Sequence, residues 1–321
     1  MIGRFLMSMI ALGAVALASD AGAEFAYRIA YAAAPAGNPL QIFTMNPDGL
    51  GKSQLTNAPF LHRDPSWSPD MQMIAFISSR SGDNDLFVMK ANGSGVKNIT
   101  DTPDLWEWGP AWSPNGREIA YYVRRALDLT GEIWIVDVET GRKRRITTAY
   151  VPGISWSPDG RRLAFLRLIG KSYDVFLIDL QTGREENLTG SPSSERSPCF
   201  TPDGDRLLFI SDEGGRAGIY ELDLRSREVK RIFTSADITP VKLTVSPDGR
   251  WIFFHGVRGP KDSGDIYRVD LRGRKLLNLT ASPGVVEMCP SCPPPSTSFG
   301  IGPQNALPSL WGMLKISAEG R

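Results

Sequence analysis

The chain has 321 residues, of which 41% are hydrophobic and 22% are charged, an ordinary composition for a globular protein. Its 36 basic and 35 acidic residues nearly cancel, so the basic surface expected of a nucleic-acid-binding protein is not indicated. The 32 glycines and 24 prolines are typical of many short strands joined by tight turns.

The first 23 residues have the pattern of an export signal. Arg4 supplies a positive start, residues 5–18 form an apolar run, and residues 21–23 (Ala-Gly-Ala) fit a small-x-small cleavage site. Residues 16–18 offer a second cleavage site. An uncleaved membrane anchor is the alternative, but the run falls short of the roughly 20 residues that cross a bilayer. We therefore predict a signal peptide over residues 1–23 and an exported mature protein that does not span the membrane.

A Trp-Ser-Pro-Asp-Gly element recurs through the middle of the chain. Its copies begin at residues separated by 45, 44, 44 and 45 positions, which are Trp67, Trp112, Trp156, Phe200 and Val245. We call these five residues the anchors. A fixed period of this size with strand-like units predicts a β-propeller. Because the anchors recur in register, we expect them to pack between blades as structural residues.

Each repeat unit reads as four short strands separated by turn residues. In the unit that begins at Pro65, residues 73–78 and 85–90 are apolar strand patterns, and residues 96–100 close the unit. The Ser-Pro-Asp-Gly element predicts a tight turn, because Pro sets φ, Asp caps the turn and Gly supplies a left-handed residue. Met71 replaces that glycine in the first copy, where we expect a strained or differently shaped turn.

Six blades are predicted, and the first lacks its own first strand. Residues 28–56 contain strands two, three and four of a blade without a preceding Trp-Ser-Pro-Asp-Gly element. Residues 288–293 echo residues 64–69, with Cys292 in the place of Trp67, so the C-terminal strand is expected to complete blade 1 and cover its open edge. Residues 307–312 are a weaker second candidate. The fold prediction is all-β, a six-bladed propeller of four-stranded antiparallel blades over residues 24–293, with an irregular tail over residues 294–321.

The cysteines and histidines do not indicate a metal site. Cys289 and Cys292 form a Cys-x-x-Cys pair in a proline-rich segment, which is consistent with a structural disulfide or with two small residues, and Cys199 stands apart. His62 and His255 occupy unrelated repeat positions, so the sequence does not indicate a zinc cluster. We predict no metal and no cofactor.

With Asp-Ile-Tyr and Leu-Thr following each Trp-Ser-Pro-Asp-Gly element, the chain resembles the TolB-type propeller family over roughly residues 27–293. The resemblance implies a six-bladed propeller, usually periplasmic in Gram-negative bacteria. TolB works in the Tol–Pal envelope system and binds the peptidoglycan-associated lipoprotein at one propeller face. We expect no counterpart of TolB's N-terminal α/β domain, because few residues separate the predicted cleavage site from the first strand. The same repeats occur in propellers that gate oligopeptidases and in propeller lyases acting on uronate oligosaccharides.

The stretches before each anchor are predicted to be loops that line one mouth of the central channel. Five positions before the anchors, and before Cys292, stand His62, Glu107, Val151, Glu195, Pro240 and Glu287. Beside them lie Arg63, Asp64, Trp106, Trp108 and Arg196. Exposed Trp and Arg among charges are typical of a binding surface, so we predict a partner-binding rim. The alternative is that the charges are merely solvated and that Trp106 or Trp108 packs within a blade.

Two functions follow as hypotheses. The first is a monomeric, non-enzymatic scaffold that binds a protein in the cell envelope, such as a peptidoglycan-associated lipoprotein by resemblance. The second is a propeller lyase or hydrolase acting on a glycan in the channel, where paired carboxylates such as Glu107 and Glu195 would do acid–base work. The first is favoured because the sequence has no Gly-x-Ser-x-Gly element and too few histidines for a uronate-lyase site.

Overall fold

The computed structural model describes residues 26–294, apart from residues 35–37, 126–127, 129, 150–152, 260–261 and 283. The predicted signal peptide, the tail from residue 295 onward and the second candidate closing segment at residues 307–312 lie outside the described residues. The described chain is built from β-strands and one short 3-10 helix, Glu213–Gly215.

Six antiparallel sheets of four strands form the blades, and in blades 2 to 6 the strands follow one another in chain order. Blade 2 contains β4 (His62–Trp67), β5 (Met73–Ser78), β6 (Asp85–Lys90) and β7 (Lys97–Asn98). Blade 3 contains β8 (Leu105–Trp112), β9 (Glu118–Arg125), β10 (Gly131–Asp137) and β11 (Lys143–Ala149). Blade 4 contains β12 (Ser155–Trp156), β13 (Arg162–Ile169), β14 (Ser172–Asp179) and β15 (Glu185–Asn187).

Blades 5, 6 and 1 complete the ring. Blade 5 contains β16 (Glu195–Phe200), β17 (Arg206–Ser211), β18 (Gly218–Asp223) and β19 (Val229–Thr234). Blade 6 contains β20 (Thr239–Val245), β21 (Trp251–Val257), β22 (Asp265–Asp270) and β23 (Leu277–Asn278). Blade 1 has the order β24 (Val286–Ser291), β1 (Ile29–Ala34), β2 (Gln41–Met45) and β3 (Ser53–Gln54). The predicted all-β, six-bladed propeller is confirmed.

The C-terminal strand closes the ring, as the sequence predicts. β24 pairs antiparallel with β1, with Ala33 opposite Glu287 and Ala30 opposite Ser291. Cys292 follows directly and is buried in an apolar cluster with Ile29 of blade 1 and Phe253 of blade 6. This pairing removes a sheet edge that would otherwise expose unpaired backbone groups to another chain.

The Ser-Pro-Asp-Gly elements form the tight turns between strands one and two. In blade 4 the Ser157 hydroxyl donates to Asp159 at 2.5 Å, and the same aspartate oxygen accepts the Arg161 N–H at 3.0 Å. Gly160 adopts a φ of 70°, and Met71 adopts 57° at the same place in blade 2. The turn of blade 2 therefore keeps the left-handed conformation, and Met71 carries the steric strain that glycine avoids.

The anchors are buried between neighbouring blades. Trp67 packs with Ile42 of blade 1, and Trp112 packs with Ile77 of blade 2. Each of the other anchors joins a cluster shared with the preceding blade, which holds for Trp156, Phe200 and Val245. The repeated aromatic or branched side chain thus packs at the interface between successive blades and sets their separation.

At four of the six blade junctions a small polar side chain joins the inner strands of adjacent blades, a contact that was not predicted from the sequence. At these junctions the residue just before an anchor accepts the N–H of the next anchor: Ser66 accepts from Trp112 at 3.3 Å and Ser155 from Phe200 at 3.0 Å. Ring closure repeats the pattern, because Thr244 accepts from Cys292 and Ser291 accepts from Trp67, each at 3.4 Å. The recurring Ser before Trp in the repeats was the signal for these bonds.

Across the residues that the structure describes, no helix has the length and apolar character needed to cross a bilayer.

Candidate functional site

The first strands of all six blades enclose a central channel of about 760 Å³. Its wall includes one residue from each blade, three positions before each anchor and before Cys292: Asp64, Gly109, Gly153, Ser197, Lys242 and Cys289. Four of them adopt a left-handed φ between 52° and 56°, namely Asp64, Gly109, Ser197 and Cys289. They lie where the pairing of strands one and two shifts register, so a β-bulge turns each of them toward the channel.

An ion pair crosses the channel in front of the closing strand. Lys242 of blade 6 donates to Asp64 of blade 2 at 2.9 Å, and blade 1 lies between these two blades. Burial by itself raises the pKa of Asp64, but the Lys242 ammonium and hydrogen bonds outweigh it and hold this pKa at about 2. The pKa of the neighbouring Cys289 thiol is raised to about 12 by burial and by the Asp64 charge, so the thiol stays protonated. The predicted rim residue Asp64 is therefore a channel residue held in an ion pair.

All three cysteines are free in the structure. Cys289 faces the Asp64–Lys242 pair, whereas Cys292 occupies an anchor position in the core. The sequence left open whether Cys289 and Cys292 form a disulfide or are merely two small residues. In the structure they are two small residues with separate packing roles.

Five of the six residues that stand five positions before the anchors or Cys292 lie in first strands, so their predicted location in loops is wrong, and Val151 is outside the described residues. His62 begins β4, Glu195 begins β16, Glu107 lies within β8 and Glu287 within β24. All four side chains are buried. The prediction that they form an exposed rim is corrected, because strand one begins several residues earlier than the Trp-Ser-Pro-Asp-Gly element suggests and places these side chains between blades.

Glu107, Glu195 and Glu287 form buried acid pairs at alternate blade junctions. Glu107 accepts the Thr102 hydroxyl at 2.6 Å and lies beside Asp85 of blade 2. Burial, together with Asp85, raises its pKa to about 8 against the opposing hydrogen bond from Thr102. Asp174 stands beside Glu195 and Asp265 beside Glu287 in the same way.

Burial also raises the pKa of Glu195, to about 7, and that of Glu287. Glu107 and Glu195 are buried at different blade junctions, so their carboxyl groups do not face a shared substrate site. This arrangement does not support their hypothesised acid–base work on a glycan.

Both histidines are buried and neutral. Burial, reinforced by a nearby cation, lowers the pKa of His62 and of His255 to about 4. His62 packs edge-on against Phe76, and among the described residues neither ring nitrogen has a hydrogen-bond partner. His255 lies on the channel wall opposite Lys242 in the β20–β21 pairing.

Three of the remaining predicted rim residues, Arg63, Trp106 and Trp108, come together at the surface, whereas Arg196 stands apart in blade 5. Trp106 and Trp108 are half-buried and pack edge-to-face at 5.8 Å. The guanidinium groups of Arg63 and Arg124 lie over the Trp108 ring at 5.8 and 5.3 Å from its centroid. We call these four residues the aromatic patch. It lies where first strands begin and second strands end, beside the channel wall on which exposed Arg196 stands.

The chain matches a protein-family model and is similar to solved propeller structures. A family model described as "TolB beta propeller domain" matches residues 104–299. Among solved structures, TolB from Acinetobacter baumannii superposes with a TM-score of 0.74 at 20% identity, covering 85% of this chain and 68% of that one. A putative TolB from Agrobacterium tumefaciens gives a TM-score of 0.65 at 19% identity, covering 79% and 88%. At these identities the likeness shows the fold.

Two curated relatives carry peptidase names. The uncharacterized peptidase YuxL of Bacillus subtilis is 33% identical over 153 residues, 46% of this chain and 22% of the relative. Dipeptidyl-peptidase 5 of Porphyromonas gingivalis is 24% identical over 301 residues, 75% of this chain and 43% of the relative. The chain thus spans less than half the length of these two relatives. The family match, the six blades and the closing strand together lead to one conclusion: this chain belongs to the TolB beta propeller domain family.

Proposed function

We propose that this protein is an exported, TolB-like propeller that binds a protein partner in the cell envelope and has no catalytic activity of its own. The observation that carries the proposal is the aromatic patch. Half-buried Trp106 and Trp108, with Arg63 and Arg124 over the Trp108 ring, combine the side chains that dominate the energy of protein interfaces. The partner is an envelope protein of the kind that TolB binds, such as a peptidoglycan-associated lipoprotein, and the location is the periplasm.

The patch is rigid, which favours binding without a large entropy cost. Trp106 donates its indole N–H to Asp83 at 3.3 Å, and Trp108 also packs against Tyr122 at 5.8 Å. Side chains already held in one rotamer lose little freedom when a partner covers them.

The test is a pull-down of solubilised envelope proteins with the purified propeller. The variant Trp108→Ala removes the centre of the patch, and we expect it to weaken partner capture by at least tenfold, since aromatic anchors cost about 2 kcal/mol or more when truncated. Trp251→Ala is the matched control, because Trp251 also lies beneath an arginine, Arg268 at 4.1 Å, but belongs to the opposite face. Equal capture by the two variants would contradict the proposal.

The non-catalytic part of the proposal has its own test. A panel of dipeptide substrates and uronate oligosaccharides covers the activities of the peptidase and lyase propellers considered above. We expect no turnover by the full chain, and turnover of any substrate in the panel would contradict a non-catalytic role.

A further inference from the structure

A basic surface pocket of about 340 Å³ lies in blade 6, on the face opposite the aromatic patch. It is formed by the turns that follow β20 and β22, and its charged lining consists of Arg250, Asp270, Arg272, Arg274 and Lys275. The Asp270 carboxylate accepts the backbone N–H groups of Arg272 at 3.0 Å and Arg274 at 2.7 Å, so it is occupied in holding its own turn. Four cations therefore face one carboxylate in a protein whose overall net charge is only +1.

The cations of this pocket are poorly neutralised. Within the described part of the chain, Arg272 and Arg274 form no ion pair, and Arg250 has only a 3.9 Å contact to Asp248 with 79% of its side chain exposed. Blade 5 differs at the corresponding turns, where Asp205 replaces Arg250 and where Arg227 pairs with Glu186 at 2.6 Å. Blades 3 and 4 keep arginines at the positions of Arg250 and Arg274, but Glu139 and Gln181 stand in the place of Arg272. The full set of four cations is therefore found in blade 6 among these blades.

Exposed leucines flank the same pocket. Leu276 and Leu277 follow Lys275 directly and are 43% and 42% exposed, and Leu50, in the turn between β2 and β3, is 65% exposed. That turn is held against blade 6, because Lys52 donates to the Thr280 carbonyl at 3.1 Å and Arg268 donates to the Pro47 carbonyl at 2.8 Å. We call the four pocket cations and these three leucines the basic edge.

We propose that the basic edge binds the surface of a membrane that contains anionic phospholipids. Arginine side chains recognise phosphate oxygens through paired N–H donors, and each basic residue near an anionic bilayer strengthens binding. Exposed leucines enter the boundary between headgroups and acyl chains of a bilayer, whereas a soluble polyanion offers them no apolar phase. Because the basic edge and the aromatic patch lie on opposite faces, the propeller is able to hold a membrane and a protein partner at once.

The charge test uses co-flotation of the full chain with vesicles of phosphatidylcholine alone or with about one third phosphatidylglycerol. We expect flotation only with the anionic vesicles, weakening as salt is raised. Arg272→Glu with Arg274→Glu should lower the affinity at least about thirtyfold. Arg142→Glu with Arg184→Glu is the control of equal charge change, since these exposed arginines occupy the corresponding turns of blades 3 and 4, and it should change affinity less than about threefold.

The leucine test separates a membrane from a free anion. Leu276→Ser with Leu277→Ser should reduce flotation at least about tenfold, whereas Ile169→Ser, which removes a 45% exposed side chain from the other face, should not. Absence of flotation with anionic vesicles, or equal losses in the arginine pair and its control, would overturn the proposal. Flotation unaffected by the leucine changes, or binding of inorganic phosphate without flotation, would assign the pocket to a soluble anion and overturn it as well.

Discussion

Replacing Glu107 by glutamine tests the buried acid pairs directly. Glu107 is 0% exposed, accepts the Thr102 hydroxyl through one oxygen and stands beside Asp85, with the other oxygen unpartnered among the described residues. With a pKa of about 8, raised by burial, the side chain is protonated in the folded protein at neutral pH. Glutamine has nearly the same shape and cannot ionise, so it mimics this neutral form at every pH.

The pH dependence that Glu107 gives to the free energy of unfolding follows from the difference between its pKa in the unfolded and the folded state. The pKa of Glu107 rises from 4.5 in the unfolded chain to about 8 in the folded protein, so the folded state binds the proton more tightly. The associated stability is fully present below pH 4.5 and is lost as pH rises through about 8. At about 1.4 kcal/mol for each pH unit, the loss is at most about 5 kcal/mol, and side-chain relaxation with water entry reduces it to on the order of 2 kcal/mol.

The assay is urea unfolding followed by tryptophan fluorescence between pH 5 and pH 9. We expect Glu107→Gln to match the wild type at pH 5 and to exceed its free energy of unfolding by about 2 kcal/mol at pH 9. Glu195 and Glu287 retain their own pH dependence, so the slope is reduced without disappearing. Glu139→Gln, at an exposed turn position, is the control. An unchanged pH slope in Glu107→Gln would refute the assignment of a raised pKa to a neutral buried acid.

Two further predictions concern ring closure and the channel. A chain ending at residue 285 lacks β24 and should lose cooperative unfolding or aggregate through the open edge of β1. A chain ending at residue 294 keeps β24 and should retain the thermal transition of the wild type. Equal melting temperatures for the two truncated chains would show that β24 does not close the ring. Lys242→Met leaves the Asp64 carboxylate without its 2.9 Å partner and should lower the free energy of unfolding at pH 7 by on the order of 1 kcal/mol, because Lys242 is partly exposed and Arg63 remains 3.9 Å away; Asp64→Asn with Lys242→Met should restore part of it. In urea titrations, a single variant as stable as the double variant would contradict this account of the channel pair.

Local turn chemistry and the repeat period were sufficient to predict the blades. Pro, Asp and Gly define the turn between strands one and two by their own backbone preferences, and the structure has that turn even where Met71 replaces glycine. The closing strand was also predictable, because residues 288–293 repeat a pattern found elsewhere in the chain. The bonds between Ser66 or Ser155 and the following anchor were missed, since they connect residues some 45 positions apart and depend on how two blades meet.

The candidate site was much less predictable from the sequence than the blades were. Charged residues at one repeat position, such as Glu107 and Glu195, looked like a solvent-facing ring, but the strands extend further than the motif and bury them. The bulge that turns Asp64 toward Lys242 has no local sequence signature, because the two residues are 178 positions apart. Sequence by itself determined the number of blades, their turns and the closing strand, since each depends on short-range preferences repeated along the chain. Only the tertiary structure decided which side chains face the channel, the blade junctions or the surface, because burial and charge pairing arise when distant blades come together.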